Sequence, residues 1–168
     1  MEVVRASLED LTLLQQISKT TFADTYAGEN TQENMHAYLE AHFSLGQLKK
    51  EMSNPESFFY FARHKTQVVG YLKVNMGQAQ SETQKAALEI ERIYVLKNFQ
   101  GQHIGKTLCQ KCIAIAQKKQ LQFVWLGVWE NNPKAIAFYT ALGFIPYDKH
   151  LFKLGDDLQT DIMMRLEL

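Results

Sequence analysis

The apolar residues of the chain follow two spacings, which predict helices and strands in a mixed order. Three segments near the N-terminus and two further along repeat apolar residues every three or four positions, as amphipathic helices do. Shorter segments alternate apolar and polar residues or are apolar throughout, as strands are. The predicted order is β-α-α-α-β-β-β-α-β-α-β-β, which is one mixed α/β domain spanning residues 1–168.

Capping residues and helix breakers set the predicted ends of these elements. Ser7, Thr31 and Ser44 are predicted to begin the first three helices, because their hydroxyls can accept from the N–H groups of a first turn. The first helix is predicted to end near Phe22 and to be followed by a loop. Residues 77–85 are polar and are predicted to form a mobile surface loop. The predicted strands cover residues 2–6, 58–63, 67–76, 87–96, 122–129, 144–153 and 160–166.

Residues 88–106 carry the strongest local pattern. An apolar strand is followed by a short turn, and Gly101 and Gly105 flank the start of a long helical pattern at Ile104. The unpaired N–H groups and the dipole of a helix N-terminus attract anions, so a diphosphate is the expected ligand. The spacing matches neither the P-loop nor the dinucleotide-binding fingerprint, and a turn that merely needs glycine is an open alternative.

Composition and charge exclude some classes of protein. The chain has 168 residues, 46% of them hydrophobic, which suits a domain with one substantial core. Its 18 basic and 18 acidic residues leave no net charge, so bulk charge indicates no nucleic-acid partner. No apolar run approaches the roughly 20 residues that span a membrane, and no signal-peptide pattern is present. With only two cysteines, the cytoplasm is the expected location.

The two cysteines, Cys109 and Cys112, have the spacing of a redox pair or of half a metal site. They lie within a strong helical pattern, and there is no second pair. They are therefore interpreted as small buried residues, and no metal is expected.

A second motif, at residues 131–144, bears on the glycine turn. It contains the pattern Asn-x-x-Ala-x-x-Phe-Tyr-x-x-x-Gly-Phe, beginning at Asn132. Together with a strand followed by Gln100-x-x-x-x-Gly105, this pattern resembles the GNAT superfamily of N-acetyltransferases, and the resemblance extends over the whole chain in element order. It implies the GNAT fold, with about seven strands, four to five helices and a V-shaped splay between strands 4 and 5. It also implies acetyl-CoA as the co-substrate.

The resemblance implies a position for each part of acetyl-CoA. The backbone of strand 4 after an expected bulge would pair with the pantetheine arm, and the turn after it would bind the pyrophosphate. His103 replaces a glycine of the family's motif and is expected to have helical backbone angles, with its imidazole either near a phosphate or in solvent. The implied cofactor-binding residues are Ile93, Tyr94, Val95, Gln100, Gly101, Gln102, His103, Ile104, Gly105, Lys106, Asn132, Ala135, Phe138 and Tyr139.

Acetyl transfer to an amine needs a group that removes a proton and a group that protonates the leaving thiolate. Tyr139 is the candidate general acid, because a phenol with a pKa near 10 can donate to a thiolate; simple core packing is the alternative. Glu91, expected just before the bulge, is the candidate general base, acting through ordered water or with a raised pKa. Glu89 lies on the same face if the strand is regular, and one of the pair would then be structural, ion-paired with Arg92 for example.

Further matches resemble the PaiA-type polyamine N-acetyltransferases, which acetylate spermidine and spermine. They include residues 33–40, 88–94, 125–130 and 155–161. The expected reaction is direct attack of a polyamine amine in a ternary complex, with carboxylates and aromatic faces holding the polycation. The candidate substrate residues are Tyr26, Asp24, Glu29, Glu33, Glu89 and Glu130, each of which has ordinary surface charge or packing as its alternative.

Other functions stay open from the sequence. The acceptor could instead be a protein N-terminus, a lysine or another small amine, with the same chemistry. A different class is a non-catalytic acetyl-CoA-binding regulator, which would have no need of an acid at Tyr139. A small-molecule partner is expected rather than nucleic acid or a membrane, and the chain could be a monomer or a homodimer.

Overall fold

The structure, a computed structural model, describes all residues from 1 to 168. The strands are β1 (Glu2–Arg5), β2 (Ser57–His64), β3 (Gln67–Asn75), β4 (Ala87–Val95), β5 (Phe123–Trp129), β6 (Ile145–Leu154) and β7 (Asp157–Glu167). The helices are α1 (Leu11–Tyr26), α2 (Gln32–Phe43), α3 (Leu45–Met52), α4 (Ile104–Lys118) and α5 (Pro133–Ala141). Seven strands and five helices in this order confirm the predicted mixed α/β fold. No helix combines the length and the apolar character needed to cross a membrane.

All seven strands belong to one sheet, in the order β1-β2-β3-β4-β5-β7-β6. A hydrophobic core lies on each of its two faces. Helix α4 contributes Leu108 and both cysteines to one core, and helices α1 to α3 cover the other. Cys109 and Cys112 are buried free thiols, and burial raises the pKa of Cys109 to about 12, as expected for inert packing residues.

Strands β4 and β5 are the only parallel neighbours, and they pair over a short length. Residues 87–90 of β4 lie opposite residues 123–126 of β5. Beyond Ile90, β4 pairs only with β3, while residues 127–129 of β5 pair only with β7. The two strands therefore diverge after Ile90, which confirms the predicted splay between strands 4 and 5.

The bulge in β4 lies at Glu91 itself rather than after it. Lys73 of β3 pairs with Arg92 and Val74 pairs with Ile90, so Glu91 is an extra residue in β4. Even-numbered residues such as Ile90 face the α4 core before the bulge, whereas odd-numbered ones such as Ile93 face it afterwards. Because of this switch, the side chains of Glu89, Glu91 and Arg92 all lie on the opposite face.

Helix α1 differs from its predicted bounds at both ends. A 3-10 turn (Leu8–Asp10) precedes it, capped by Ser7, and the helix continues past Phe22 to Tyr26. The aromatic ring of Tyr26 packs 5.2 Å from that of Trp129, centroid to centroid, on β5. The predicted loop was therefore wrong in its first half, because this tertiary contact keeps the last helical turn in place.

The segment predicted to be a mobile surface loop is anchored to three strands through residues 80–82, which we call the strap. Gln80 Oε1 accepts from Trp125 Nε1 at 2.7 Å, and the Ser81 N–H donates to Glu89 Oε2 at 2.8 Å. Glu82 Oε1 lies 3.0 Å from His150 Nδ1. Polar side chains that suggested solvent exposure are thus bonded to partners distant in the sequence.

The turn before α4 contains a strained residue. His103 has φ 61° and ψ 10°, in the left-handed region that favours glycine, so the expectation of helical backbone angles was wrong. It is the N-cap of α4, and the chain must reverse there between β4 and the helix. A glycine at this position would avoid the contact between Cβ and the carbonyl oxygen that makes this conformation costly.

We expect His103→Gly to unfold at higher urea concentration than His103→Ala. Both changes remove the imidazole, but only glycine relieves the strain, so the two variants should differ by about 1 kcal/mol. Equilibrium unfolding in urea measures this difference directly. Equal free energies of unfolding for the two variants would show that the left-handed conformation costs nothing here.

Candidate active site

Two cavities meet where β4 and β5 diverge, and Tyr94 lines both. The larger, of about 690 Å³, lies against the N-terminus of α4 and is called the α4 cleft. The smaller, of about 470 Å³, lies beneath α1, α2 and β6 and is called the acidic pocket. A ligand in the α4 cleft can therefore approach one in the acidic pocket across the open end of the splay.

The predicted cofactor residues line the α4 cleft with one exception. Gln102 does not line it, and its side-chain amide donates to the carbonyl of Asn98 at 3.4 Å. The others are Ile93, Tyr94, Val95, Gln100, Gly101, His103, Ile104, Gly105, Lys106, Asn132, Ala135, Phe138 and Tyr139. The splay and the turn thus bring together residues that lie far apart in the sequence.

The end of the α4 cleft at the helix suits a diphosphate. The first intrahelical bond of α4 runs from the Thr107 N–H to the His103 carbonyl, so the N–H groups of residues 104–106 have no helical acceptor. Lys97, Lys106 and Lys134 line the same space. An added Cβ at Gly105 would lie 3.3 Å from Phe138 Cζ, so the glycine lets α5 pack close to the turn. Unpaired donors and positive charge fit a pyrophosphate.

The rest of the α4 cleft suits the pantetheine arm of coenzyme A. Beyond Ile90, the edge of β4 that faces β5 has no strand partner. Unpaired backbone groups of this kind bind an extended chain that carries amides, as an added strand does. Residues 93–95 lie on this edge, so the residues present fit the pyrophosphate and the pantetheine arm of coenzyme A.

Tyr139 lies at the inner end of the α4 cleft, within the core. Its ring packs against Phe138 and Phe144, with centroids 5.1 and 5.6 Å away. Its hydroxyl makes no hydrogen bond within the chain, and burial raises its pKa well above the ordinary value. The side chain therefore packs in the core and presents a protonated phenol to the cleft. The expectation of a pKa near 10 was wrong, because burial makes this phenol a weaker acid than a free tyrosine.

The acidic pocket holds carboxylates and aromatic rings together. Its four acidic residues are Glu82, Glu89, Glu91 and Asp161. Its aromatic residues are Phe22, Tyr26, Tyr38, Phe43, Tyr94 and Phe152. Such a lining favours a cation with an aliphatic part, because carboxylates attract the charge and rings contact the methylene groups.

Glu91 belongs to a buried network of four charged groups. Lys73 Nζ lies 2.5 Å from Glu91 and 2.9 Å from Glu51. Arg92 donates to both oxygens of Glu51, at 2.8 and 3.1 Å, and its Nη2 lies 3.3 Å from Glu91 Oε1. Burial acts to raise the pKa of Glu91, but Arg92 and Lys73 outweigh it and hold the pKa below its usual value. The expectation of a raised pKa at Glu91 was therefore wrong, and only a role through water remains.

Glu89 has the opposite environment. It is 3% exposed, and it accepts from Asn75 Nδ2 at 3.0 Å and from the Ser81 N–H and hydroxyl. No Lys, Arg or His forms an ion pair with it. Burial raises the pKa of Glu89, and the nearby charge of Glu91 adds to this, against the hydrogen bonds from Ser81 and Asn75. The two neighbouring carboxylates thus have pKa values shifted in opposite directions.

The other predicted substrate residues are divided between the two cavities. Tyr26 lines the acidic pocket, as does Glu89. Asp24 and Glu29 line the α4 cleft, whereas Glu33 and Glu130 line neither cavity. A role for these four in binding an acceptor stays a prediction, with less support than for Tyr26.

The sequence patterns missed three residues of the acidic pocket, Glu82, His150 and Asp161. His150 lies between the two carboxylates, with Nε2 3.2 Å from Asp161, and this hydrogen bond together with Glu82 raises the pKa of His150. One feature of the sequence could have pointed to His150 and Asp161. Gly127 lies within a buried strand, and a glycine there indicates that another group approaches the backbone closely. An added Cβ at Gly127 would lie 3.1 Å from both Asp161 Oδ2 and His150 Nε2.

The splayed sheet, the helix N-terminus and the tyrosine together define an acyl-coenzyme A-binding protein of the acetyltransferase type. Residues 16–144 match the model of the Acetyltransferase (GNAT) family. The chain is 39% identical to an uncharacterized N-acetyltransferase in the pepI 3′ region of Lactobacillus delbrueckii subsp. lactis, over 100% of this chain and 98% of that one. The chain therefore belongs to the GNAT family and is an N-acetyltransferase that uses acetyl-CoA.

Two comparisons concern Thermoplasma acidophilum. The spermidine N(1)-acetyltransferase of that organism is 24% identical over 98% of this chain and 95% of its own length. The crystal structure of its PaiA N-acetyltransferase in complex with coenzyme A superimposes with a TM-score of 0.82 at 23% identity, covering 99% of this chain and 98% of that one. At this identity the structural match shows the fold. No group of three or more His, Cys, Asp or Glu side chains is placed to hold a metal ion.

We expect Glu51→Gln to lower the free energy of unfolding at pH 7. The difference from wild type should become smaller as the pH falls. Burial acts to raise the pKa of Glu51, but Arg92 and Lys73 lower it from 4.5 to about 2. A lowered pKa stabilises the folded state above pH 4.5, and this contribution is lost as the pH falls towards about 2. The variant should lose about 3 kcal/mol at pH 7, measured by urea unfolding at pH 7, 4.5 and 3.

Glu40→Gln is the matched control for this prediction. Glu40 pairs with Lys19 at 3.0 Å on the surface, so its removal should leave stability almost unchanged at every pH. A constant loss for Glu51→Gln across the pH range would contradict the ion-pair explanation.

Proposed function

We propose that this N-acetyltransferase transfers acetyl from acetyl-CoA to a primary amine of a polyamine, such as spermidine or spermine, by direct attack in a ternary complex. The observation that carries the proposal is the acidic pocket, where four carboxylates and several aromatic rings lie beside the splay. The similarity to a spermidine N(1)-acetyltransferase supports the same acceptor class.

The charges in the acidic pocket suit an acceptor with more than one ammonium group. Glu91 is neutralised by Lys73 and Arg92, but Glu89 has no cationic partner. Glu82 and Asp161 share one histidine between them. Lys153 also lines the pocket and supplies one further cation. An alkyl ammonium with a pKa near 10 stays charged at pH 7, so ammonium groups of the acceptor would balance the carboxylates that remain. The rings of Tyr26 and Phe152 pack together, with centroids 6.0 Å apart. They offer an apolar surface to the methylene chain that links two ammonium groups of the acceptor.

The residues of the α4 cleft would hold acetyl-CoA and stabilise the reaction. The N–H groups of residues 104–106 would bind its pyrophosphate, and the backbone of residues 93–95 would bind the pantetheine arm. Bound in this way, acetyl-CoA supplies a thioester as the acetyl donor. Backbone N–H groups on the free edge of β4 would stabilise the oxyanion that develops on attack. Tyr139 Oη would donate a proton to the departing sulfur.

Two carboxylates, Glu91 and Glu89, are candidates for taking up the proton of the amine. Glu91, the candidate from the sequence, would act through water, because Lys73, Arg92 and Asn75 engage its oxygens. A carboxylate with a lowered pKa is also a weak base. Glu89 keeps a raised pKa next to the same pocket.

Three expectations from the sequence stay predictions: a cytoplasmic location, the lack of a nucleic-acid partner and the assignment of residues 1–168 to one domain. The oligomeric state stays open between monomer and homodimer.

We expect spermidine and spermine to be the best acceptors in a panel of amines assayed by released coenzyme A thiol. A monoamine such as butylamine lacks the second ammonium group, so its kcat/KM should be lower by about tenfold or more. The panel also contains a lysine peptide and peptides with free N-termini. No turnover of spermidine or spermine, with turnover of a peptide, would exclude the polyamine assignment in favour of a protein acceptor.

We expect Tyr139→Phe to reduce kcat by about 100-fold or more while coenzyme A still binds. The phenylalanine ring keeps the packing against Phe138 and Phe144, so the change removes only the hydroxyl. Steady-state kinetics and calorimetric titration with coenzyme A measure the two effects. Tyr60→Phe, on the distant strand β2, is the control and should leave both unchanged. Full activity of the Tyr139 variant would remove the case for an acid and would favour a binding protein with a regulatory role.

A further inference from the structure

The strap carries a hydroxyl directly to the buried carboxylate of Glu89. The hydroxyl of Ser81 donates to Glu89 Oε1, and its N–H donates to Oε2 at 2.8 Å. Ser81 and Glu89 both line the acidic pocket, but Ser81 is exposed whereas Glu89 is only 3% exposed. One serine therefore connects a buried carboxylate with the space in which the acceptor would lie.

The remaining contacts of Glu89 come from groups that cannot move a proton. Asn75 Nδ2 donates to Oε2 of Glu89 at 3.0 Å and to Oε2 of Glu91 at 2.5 Å. The Ser57 hydroxyl donates to Asn75 Oδ1 at 2.9 Å, which holds the amide in this orientation. Amide N–H groups only donate, while a hydroxyl donates and accepts at the same time. Oε1 with the Ser81 hydroxyl is thus the one side of Glu89 through which a proton can arrive within the chain.

We propose that Ser81 is a catalytic residue that passes the proton of the attacking amine to Glu89. The proposal rests on the proposed acetyl transfer to an amine and names the route of its proton. The reacting ammonium group first loses one proton to solvent water, which gives the neutral amine. As this amine attacks, a C–N bond forms and the nitrogen becomes positive. One N–H proton moves to Ser81 Oγ while the Ser81 hydroxyl proton moves to Glu89 Oε1. The C–S bond breaks, the sulfur takes a proton from Tyr139 Oη, and exchange with solvent restores Glu89 and Tyr139.

The surroundings of Glu89 favour this role over the same role for Glu91. The groups that face Glu89 are Asn75 of β3, Ser81 of the strap, Glu91 of its own strand and Tyr147 of β6. None of them is a cation, so Glu89 gains little by staying ionised and accepts a proton readily. Glu91, held by two cations, does not have this property.

The test is Ser81→Ala, which removes the hydroxyl but keeps the backbone N–H bond that anchors the strap. Wild-type turnover is first established with the panel, and the fastest amine is used whether or not it is a polyamine. If the polyamine assignment is wrong, the wild-type protein shows this in the panel. A lower kcat of the variant with the chosen amine then tests only the role of Ser81. We expect kcat to fall by about 10- to 100-fold and the acceptor KM to change by less than about threefold.

The pH profile tests whether Glu89 is the base that the Ser81 hydroxyl serves. The Ser81 hydroxyl lowers the pKa of Glu89, so its removal should raise that pKa further. A base must be ionised to act, so the acid limb of kcat/KM should move to higher pH in Ser81→Ala. Ser81→Thr restores a hydroxyl and should recover most of the activity, with the limb near its wild-type position.

Thr83→Ala is the matched control, because it removes a hydroxyl from the same segment without touching Glu89. It should leave kcat, KM and the pH profile unchanged. The proposal is overturned if Ser81→Ala keeps kcat within about twofold of wild type, or if Ser81→Thr is as inactive as Ser81→Ala. An acid limb that stays in place while kcat falls would likewise reduce Ser81 to an anchor of the strap.

Discussion

The parting of β4 from β5 after Ile90 is the constraint on which the rest of the structure depends. Parallel neighbours normally pair along their whole length, and a buried backbone group without a partner is costly. Here β5 keeps a partner in β7, while the edge of β4 is left open towards the cleft. That open edge, continued by the free N–H groups of α4, fits the pantetheine arm and the pyrophosphate of coenzyme A.

The bulge at Glu91 makes the other side of the splay an acidic pocket. In a regular strand Arg92 would face the α4 core, where a guanidinium would be buried among apolar groups. The extra residue brings Glu89, Glu91 and Arg92 onto one face, and Lys73 and Glu51 then complete the charges around Glu91. Glu89 receives amide and hydroxyl donors instead of cations. One short strand thus carries two carboxylates with opposite pKa shifts, the usual arrangement when acid–base roles are divided.

The strap links the two halves of the sheet that the splay separates. Ser81 bonds to β4, and the next residue, Glu82, bonds to β6. In the sheet, β5 and β7 lie between these two strands. The wall of the acidic pocket therefore depends on a segment without regular structure beyond the 3-10 turn at Gly77–Ala79. A change in the strap would act on the acceptor side and leave the α4 cleft intact.

The order of strands and helices and the glycine turn before α4 could be predicted from the sequence, because they depend on local spacing and capping. Tyr139 became a candidate acid through the resemblance of the second motif to the GNAT superfamily. The anchoring of residues 80–82, the left-handed angle of His103 and the last turn of α1 could not be predicted in either way. They depend on partners such as Glu89, His150 and Trp129, which are distant in the sequence. The resemblance also made Glu89 and Glu91 candidates for the acceptor side of the site. Only the tertiary structure decided which is neutralised and which is not, because Lys73 comes from β3, Ser81 comes from the strap, and the bulge places Arg92 on the same face as both carboxylates.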